Sequence, residues 1–68
     1  MGAEDHPLRI RRENLRLRLV DVARRAGVST PLVSMLENGY LPKKRASLEL
    51  VAAAVDATVE DLWPTEGP

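Results

Sequence analysis

The side chains of this chain that could carry chemistry are few, and most of them are cations. There is one histidine, His6, and no cysteine. No second metal-type partner is placed to join His6, so it reads as a surface residue rather than a ligand. Without Cys there is no thiolate nucleophile, no disulfide framework and no Cys-based metal site. Ser29, Ser34 and Ser47 have no base nearby in sequence, and no Gly-rich phosphate loop is present. The residues therefore point away from catalysis, and no metal, cofactor or small-molecule ligand is expected.

The cations carry the information through their placement. Formal net charge is zero, from ten Lys and Arg against ten Asp and Glu. All ten cations lie between Arg9 and Arg45, where only Glu13, Asp21 and Glu37 oppose them, so that segment carries +7 and the rest of the chain −7. Local potential rather than net charge steers a polyanion, so this split favours nucleic acid as a partner. A solvated, chance asymmetry is the plain alternative. Tyr40 and Trp63 are the only aromatic residues. Modules that stack single-stranded bases need more rings than that, which leaves the double helix.

The stretch LVDVARRAGVSTPLVSML, from Leu19 to Leu36, is the element that would position such a contact. Val22 and Ala26 lie four apart on the inner face of one helix. Gly27 ends that helix, since a left-handed residue there costs Gly little. Val28 plugs the corner. Ser29 or Thr30 caps the next helix, and Pro31 falls in its first turn, where a missing N–H is harmless. Val33 and Leu36 face back toward Val22, and small Ala23 lets the two helices cross closely. Two short helices at a steep angle about a Gly-containing turn make a helix-turn-helix, whose second helix can enter a major groove.

With Glu37-Asn38-Gly39 after it, this stretch resembles the Cro/phage-repressor class of helix-turn-helix domains. Ala23, Gly27, Val28, Val33, Leu36 and the ENG run carry the resemblance, which extends from about Leu8 to Trp63. It implies an all-α, lambda-repressor-like domain of five short helices. It implies that Thr30, Pro31, Ser34 and Met35, on the outer face of the second helix of the motif, meet base edges. No Arg, Lys, Asn or Gln stands there for a bidentate base contact. Thr30 and Ser34 can make single hydrogen bonds, while Pro31 and Met35 can only pack, for instance on a thymine methyl. The family often has a Gln over a phosphate at the start of helix 2. Here Leu19 stands in its place, and Arg18 or the backbone amides are the available substitutes.

The remaining elements follow in order. Residues 1–6 read as a loose N-terminus, residues 7–64 as the domain and residues 65–68 as a tail. Helix 1 is expected from Pro7 to about Arg16, with Leu8 and Leu15 inward. Arg12 falls on the same stripe, and Glu37 falls on the inner face of helix 3. Each is costly to bury alone, so the two are expected to meet in a partly buried ion pair, as at these positions in the resembling family. Helix 2 is expected over Leu19 to Arg25, with Arg24 and Arg25 suited to its own C-terminal end. Helix 3 should run from Thr30 to Asn38, ended by Gly39. Tyr40 to Ala46 reads as a basic loop in which Lys43 and Lys44 hold phosphates and Arg45 reaches a phosphate or the minor groove. Ser29 and Tyr40 are further candidates for phosphate contact. Ser47 is expected to cap helix 4, SLELVAAAVDA, and Thr58 with Asp61 to form a capping box for helix 5. Leu62 and Trp63 pack inward or meet a second subunit, and the acids of this half are expected to face away from DNA.

A domain of 68 residues has a small core and needs good helix packing or dimerisation. No apolar run suits a membrane span, and MGAEDHP lacks a signal-peptide pattern. The sequence therefore predicts a cytoplasmic, homodimeric repressor that reads double-stranded DNA. The alternative is a protein-binding module on the same fold, an antitoxin subunit or an inhibitor of the transcription machinery, with Pro31 and Met35 as its apolar patch.

Overall fold

The computed structural model describes residues 6–64. Among them are five helices and no strand: α1 (Pro7–Asn14), α2 (Leu19–Ala26), α3 (Thr30–Glu37), α4 (Arg45–Ala54) and α5 (Val59–Leu62). Helix α2 is central, packed against both α3 and α4, while α1 lies against α3 and α5. The core gathers one stripe from each element. Leu8, Val22, Val33, Leu36, Val51 and Val55 are wholly inaccessible to solvent, and Ala23, Ala26, Ala52 and Leu62 are buried around them. Helices this short are marginal alone, so this shared burial is what holds them.

The helix ends follow one scheme. After α2, Gly27 takes a left-handed conformation (φ 75°), and the Val28 N–H donates to the Ala23 carbonyl at 3.0 Å. After α3, Gly39 does the same (φ 98°), with the Tyr40 N–H on the Met35 carbonyl. These six-to-one bonds are Schellman closures. The same closure ends α1 and α4 with non-glycine residues. Arg16 (φ 59°) lets Leu17 bond back to Arg12, and Asp56 (φ 56°) lets Ala57 bond back to Ala52. Helix α1 therefore stops at Asn14 rather than Arg16, and α4 stops at Ala54 rather than Ala57.

Two starts also differ from expectation. Ser47 is not the cap of α4. The helix begins at Arg45, with Lys44 as an extended N-cap residue that makes no side-chain cap bond, and Ser47 is a half-buried residue of the first turn. Arg45 thereby leaves the loop and joins the helix, where it pairs with Glu49 one turn on. His6 is not a loose surface residue. Its Nδ1 accepts a hydrogen bond from the Leu8 N–H at 3.0 Å, capping α1, and its ring lies 5.8 Å from that of Trp63. Trp63 is half-buried against the core, and its Nε1 has no hydrogen-bond partner among the described residues, so its contribution is packing. The expectations for residues 1–5 and 65–68 lie outside the described residues.

The capping box of α5 forms. The Thr58 hydroxyl accepts from the Asp61 N–H at 3.1 Å, and the Asp61 carboxylate accepts from the Thr58 N–H at 3.0 Å. These bonds hold the Asp61 carboxyl below the usual carboxylate range.

Candidate nucleic-acid interface

The turn between α2 and α3 is built by four consecutive residues. Gly27 reverses the chain, half-buried Val28 fills the corner, and extended Ser29 accepts the Leu32 N–H on its hydroxyl at 3.3 Å. Thr30 opens α3, with Pro31 in its first turn. Ser29, rather than Thr30, is the cap. Val33 and Leu36 are fully buried against α2, which fixes the rotation of α3 about its own axis. Pro31 and Met35 are then exposed, Met35 to 44%, and Thr30 and Ser34 are half-buried at the margin of the same face.

The C-terminal end of α3 is tied to α1. The Arg12 guanidinium donates to both Glu37 oxygens, at 2.5 and 3.2 Å, and to the Leu17 carbonyl at 2.9 Å. The two side chains keep only 13% and 8% of their exposure. The hydrogen bond to Glu37 holds the Arg12 charge even more firmly than usual. A forked Arg–carboxylate contact of this kind fixes orientation as well as distance. It therefore anchors α3 to α1 and to the loop that leads into α2.

The ten cations, alike in sequence, fall into three groups. Arg11, Arg12 and Arg25 are structural. Arg11 donates to the Val55 and Asp56 carbonyls at 2.8 and 3.0 Å, and Arg25 donates to the Ala54 carbonyl at 3.3 Å. Both thus cap the negative end of α4, where orphan carbonyls need donors. Arg25 serves this helix rather than its own. Arg9, Arg18 and Arg45 sit in exposed ion pairs with Glu13, Asp21 and the pair Glu49 and Glu60 respectively. Arg16, Arg24, Lys43 and Lys44 make no ion pair among the described residues.

This division bears on the phosphate candidates. Lys43 and Lys44 are exposed in the segment between α3 and α4. Tyr40 is exposed beside them. Arg18 lies at the head of α2, where its own N–H donates to Asp21 at 2.8 Å and its guanidinium reaches the same carboxylate at 3.2 Å. The Arg18 contacts hold the Asp21 carboxyl below its usual range. Arg45 is bound to Glu60 at 2.7 Å and to Glu49 at 3.3 Å. Glu60 is held below the usual range by its own backbone amide first and by Arg45 second. Two acids of the C-terminal half, Glu49 and Glu60, therefore lie against Arg45. Arg16 and Arg24 are exposed with no ion pair among the described residues, and in sequence nothing sets them apart from the structural arginines.

Among the described residues no group of His, Asp or Glu could hold a metal ion, and no helix is long and apolar enough to cross a membrane. A family model described as a helix-turn-helix domain matches residues 6–62. No curated protein and no solved structure matches the chain. The matched span takes in α2, α3 and the helices that brace them, and it points in general terms to a DNA-binding regulator. By its turn, its core and this match over most of its length, the chain belongs to the helix-turn-helix domain family.

Proposed function

We propose that this domain is a transcriptional regulator that binds double-stranded DNA in a sequence-dependent manner, as a homodimeric repressor in the cytoplasm. It needs no cofactor and carries out no catalysis. Helix α3 lies in the major groove with Thr30, Pro31, Ser34 and Met35 toward the bases. Ser29, Arg18, Tyr40, Lys43, Lys44 and Arg45 lie toward phosphates on either side. A dimer would double a contact set that is small in one copy.

The observation that carries this reading is the rotation of α3. Burial of Val33 and Leu36 leaves Pro31 and Met35 outward, on an α3 that follows directly from the Gly27 turn. Unpaired Lys43 and Lys44 follow within one loop. The test is fluorescence anisotropy against random-sequence duplex DNA at low and physiological salt, with selection of bound sequences. Salt-sensitive binding that enriches one palindromic motif supports the reading, and the half-site spacing reports the dimer geometry. Absence of binding at low salt overturns it.

The second reading is a protein-binding module, an antitoxin subunit or an inhibitor of the transcription machinery. Exposed Met35, Tyr40 and Leu41, close together in the chain, favour it. Loss of partner binding on Met35→Glu, with no affinity for duplex DNA at any salt, would support it.

A further inference from the structure

We infer that α3 recognises the C5-methyl group of a pyrimidine, accepting thymine and 5-methylcytosine alike and discriminating against uracil and unmethylated cytosine. This rests on the DNA-binding reading above and specifies what that surface reads.

The first observation is that three groups near α3 able to make a two-pronged base contact are engaged elsewhere. The Asn38 amide is turned back onto its own helix, donating to the Ser34 carbonyl at 2.8 Å. The Arg12 fork is occupied by Glu37. The Arg18 guanidinium lies on Asp21 at 3.2 and 3.3 Å. No Arg, Lys, Asn or Gln thus stands on the outer face of α3 as a bidentate reader of guanine or adenine, and the unpaired cations Arg24, Lys43 and Lys44 lie outside that helix.

The second observation is what remains. Pro31 and Met35 stand four residues apart on one face of α3, exposed, with no N–H or O–H on either side chain. In the major groove the one apolar feature on a base edge is the methyl at pyrimidine C5. Met35 is unbranched and polarisable, and adapts its shape to such a contact. The polar groups beside it are the hydroxyls of Thr30 and Ser34. A hydroxyl both donates and accepts, so it meets the thymine O4 acceptor and the cytosine N4 donor equally. On this surface the hydrogen bonds do not separate thymine from cytosine, and the methyl does.

The test starts from the duplex enriched by selection. Each thymine is replaced in turn by deoxyuridine, which removes the methyl and nothing else. Each T·A pair is then replaced by 5-methylcytosine·G and by C·G. At one or more positions deoxyuridine should weaken binding about fourfold, the ratio that burial of one methyl supplies. There 5-methylcytosine·G should bind within about twofold of T·A, and C·G about fourfold more weakly. Met35 is an exposed residue, so Met35→Ala keeps the fold, checked by its melting curve. In that variant the preference for thymine over deoxyuridine should shrink, and with Pro31→Ala added the two duplexes should bind equally. Equal binding of the two by the parent at every position overturns the inference. So does a 5-methylcytosine duplex no better than the C·G one, or a methyl preference that survives Pro31→Ala with Met35→Ala. A parent that binds no duplex at all overturns the DNA-binding reading itself and is distinguishable from each of these.

Discussion

Arg12 and Glu37, 25 residues apart, form a forked ion pair that locks the C-terminal end of α3 to α1. Removing one partner leaves the other charge nearly buried and unpaired. Arg12→Ala is therefore expected to cost about 3 kcal/mol, seen as a lower urea midpoint at unchanged slope. Replacing both residues by Leu should recover much of that loss, because the desolvation of two charges disappears with them. A double variant as unstable as the single one would show that the pair contributes attraction beyond mutual neutralisation.

The cations that cap α4 and those that stand unpaired should separate experimentally. Arg11→Ala and Arg25→Ala strip donors from the Ala54, Val55 and Asp56 carbonyls, and each should cost about 1 kcal/mol of stability. Lys43→Ala with Lys44→Ala should leave the melting curve within error. It should reduce the salt dependence of DNA binding by about 2 in log–log slope. Calorimetry and salt-titrated anisotropy on these three variants check both halves.

Arg45 is held by two carboxylates, and releasing it should strengthen DNA binding. Glu60→Gln removes the shorter contact, at 2.7 Å, and a negative charge from the same surface. The pair is exposed, so the melting curve should hardly move. Affinity for duplex DNA should rise several-fold at low salt and converge with the parent at high salt. Unchanged affinity would place Arg45 away from the bound backbone.

Two helix ends carry a side chain where glycine is easier. Arg16→Gly should stabilise the domain by about 0.5–1 kcal/mol, because a left-handed residue strains any Cβ. Asp56→Gly should give less, since Asp tolerates this region better than Arg. Thermal melts of the two variants order these effects.

His6 makes stability depend on pH near neutrality. Its Nδ1 must be unprotonated to accept the Leu8 N–H, and burial holds the ring below the usual histidine range against the opposing pull of Glu37. A depressed folded-state value means that the unfolded chain binds the proton more readily. The contribution is then fully present above the unfolded value, about 6.5, and is lost as pH falls toward the folded one. The melting temperature should therefore fall from pH 8 to pH 5. His6→Asn keeps a cap that does not titrate and should flatten that dependence. Below about pH 4 a second loss is expected, as Asp21 and Asp61, both held low by hydrogen bonds, take up protons.

The local elements were legible in sequence because their causes are local. A helical stripe at Val22 and Ala26, a glycine at 27 and a hydroxyl beside a proline each determine one conformation within a few residues. The Thr58–Asp61 box is of the same kind. The Arg12–Glu37 pair, although distant in sequence, was legible too, since two charges on inward stripes have few ways to be tolerated. The starts and ends that differed were those where a competing residue did the work of the usual one. Arg16 and Asp56 took the left-handed position, and Arg45 began α4 two residues before the serine.

What the chain order could not disclose was the division of labour among ten equivalent cations. Charge in sequence is a property of residue type, but availability to a polyanion depends on which acids and carbonyls the packing brings within a few ångströms. Arg11 meets the end of α4 across 44 residues, Arg25 across 29 and Arg45 meets Glu60 across 15. Those encounters exist only once α1, α2, α4 and α5 close around one core. Residue order alone specifies the turn, the helix α3 that follows it and the chemically sparse outer face of that helix. The tertiary structure decided which cations brace the fold, which are neutralised and which stand open, because long-range partners are chosen by burial of the core and not by the spacing of the charges.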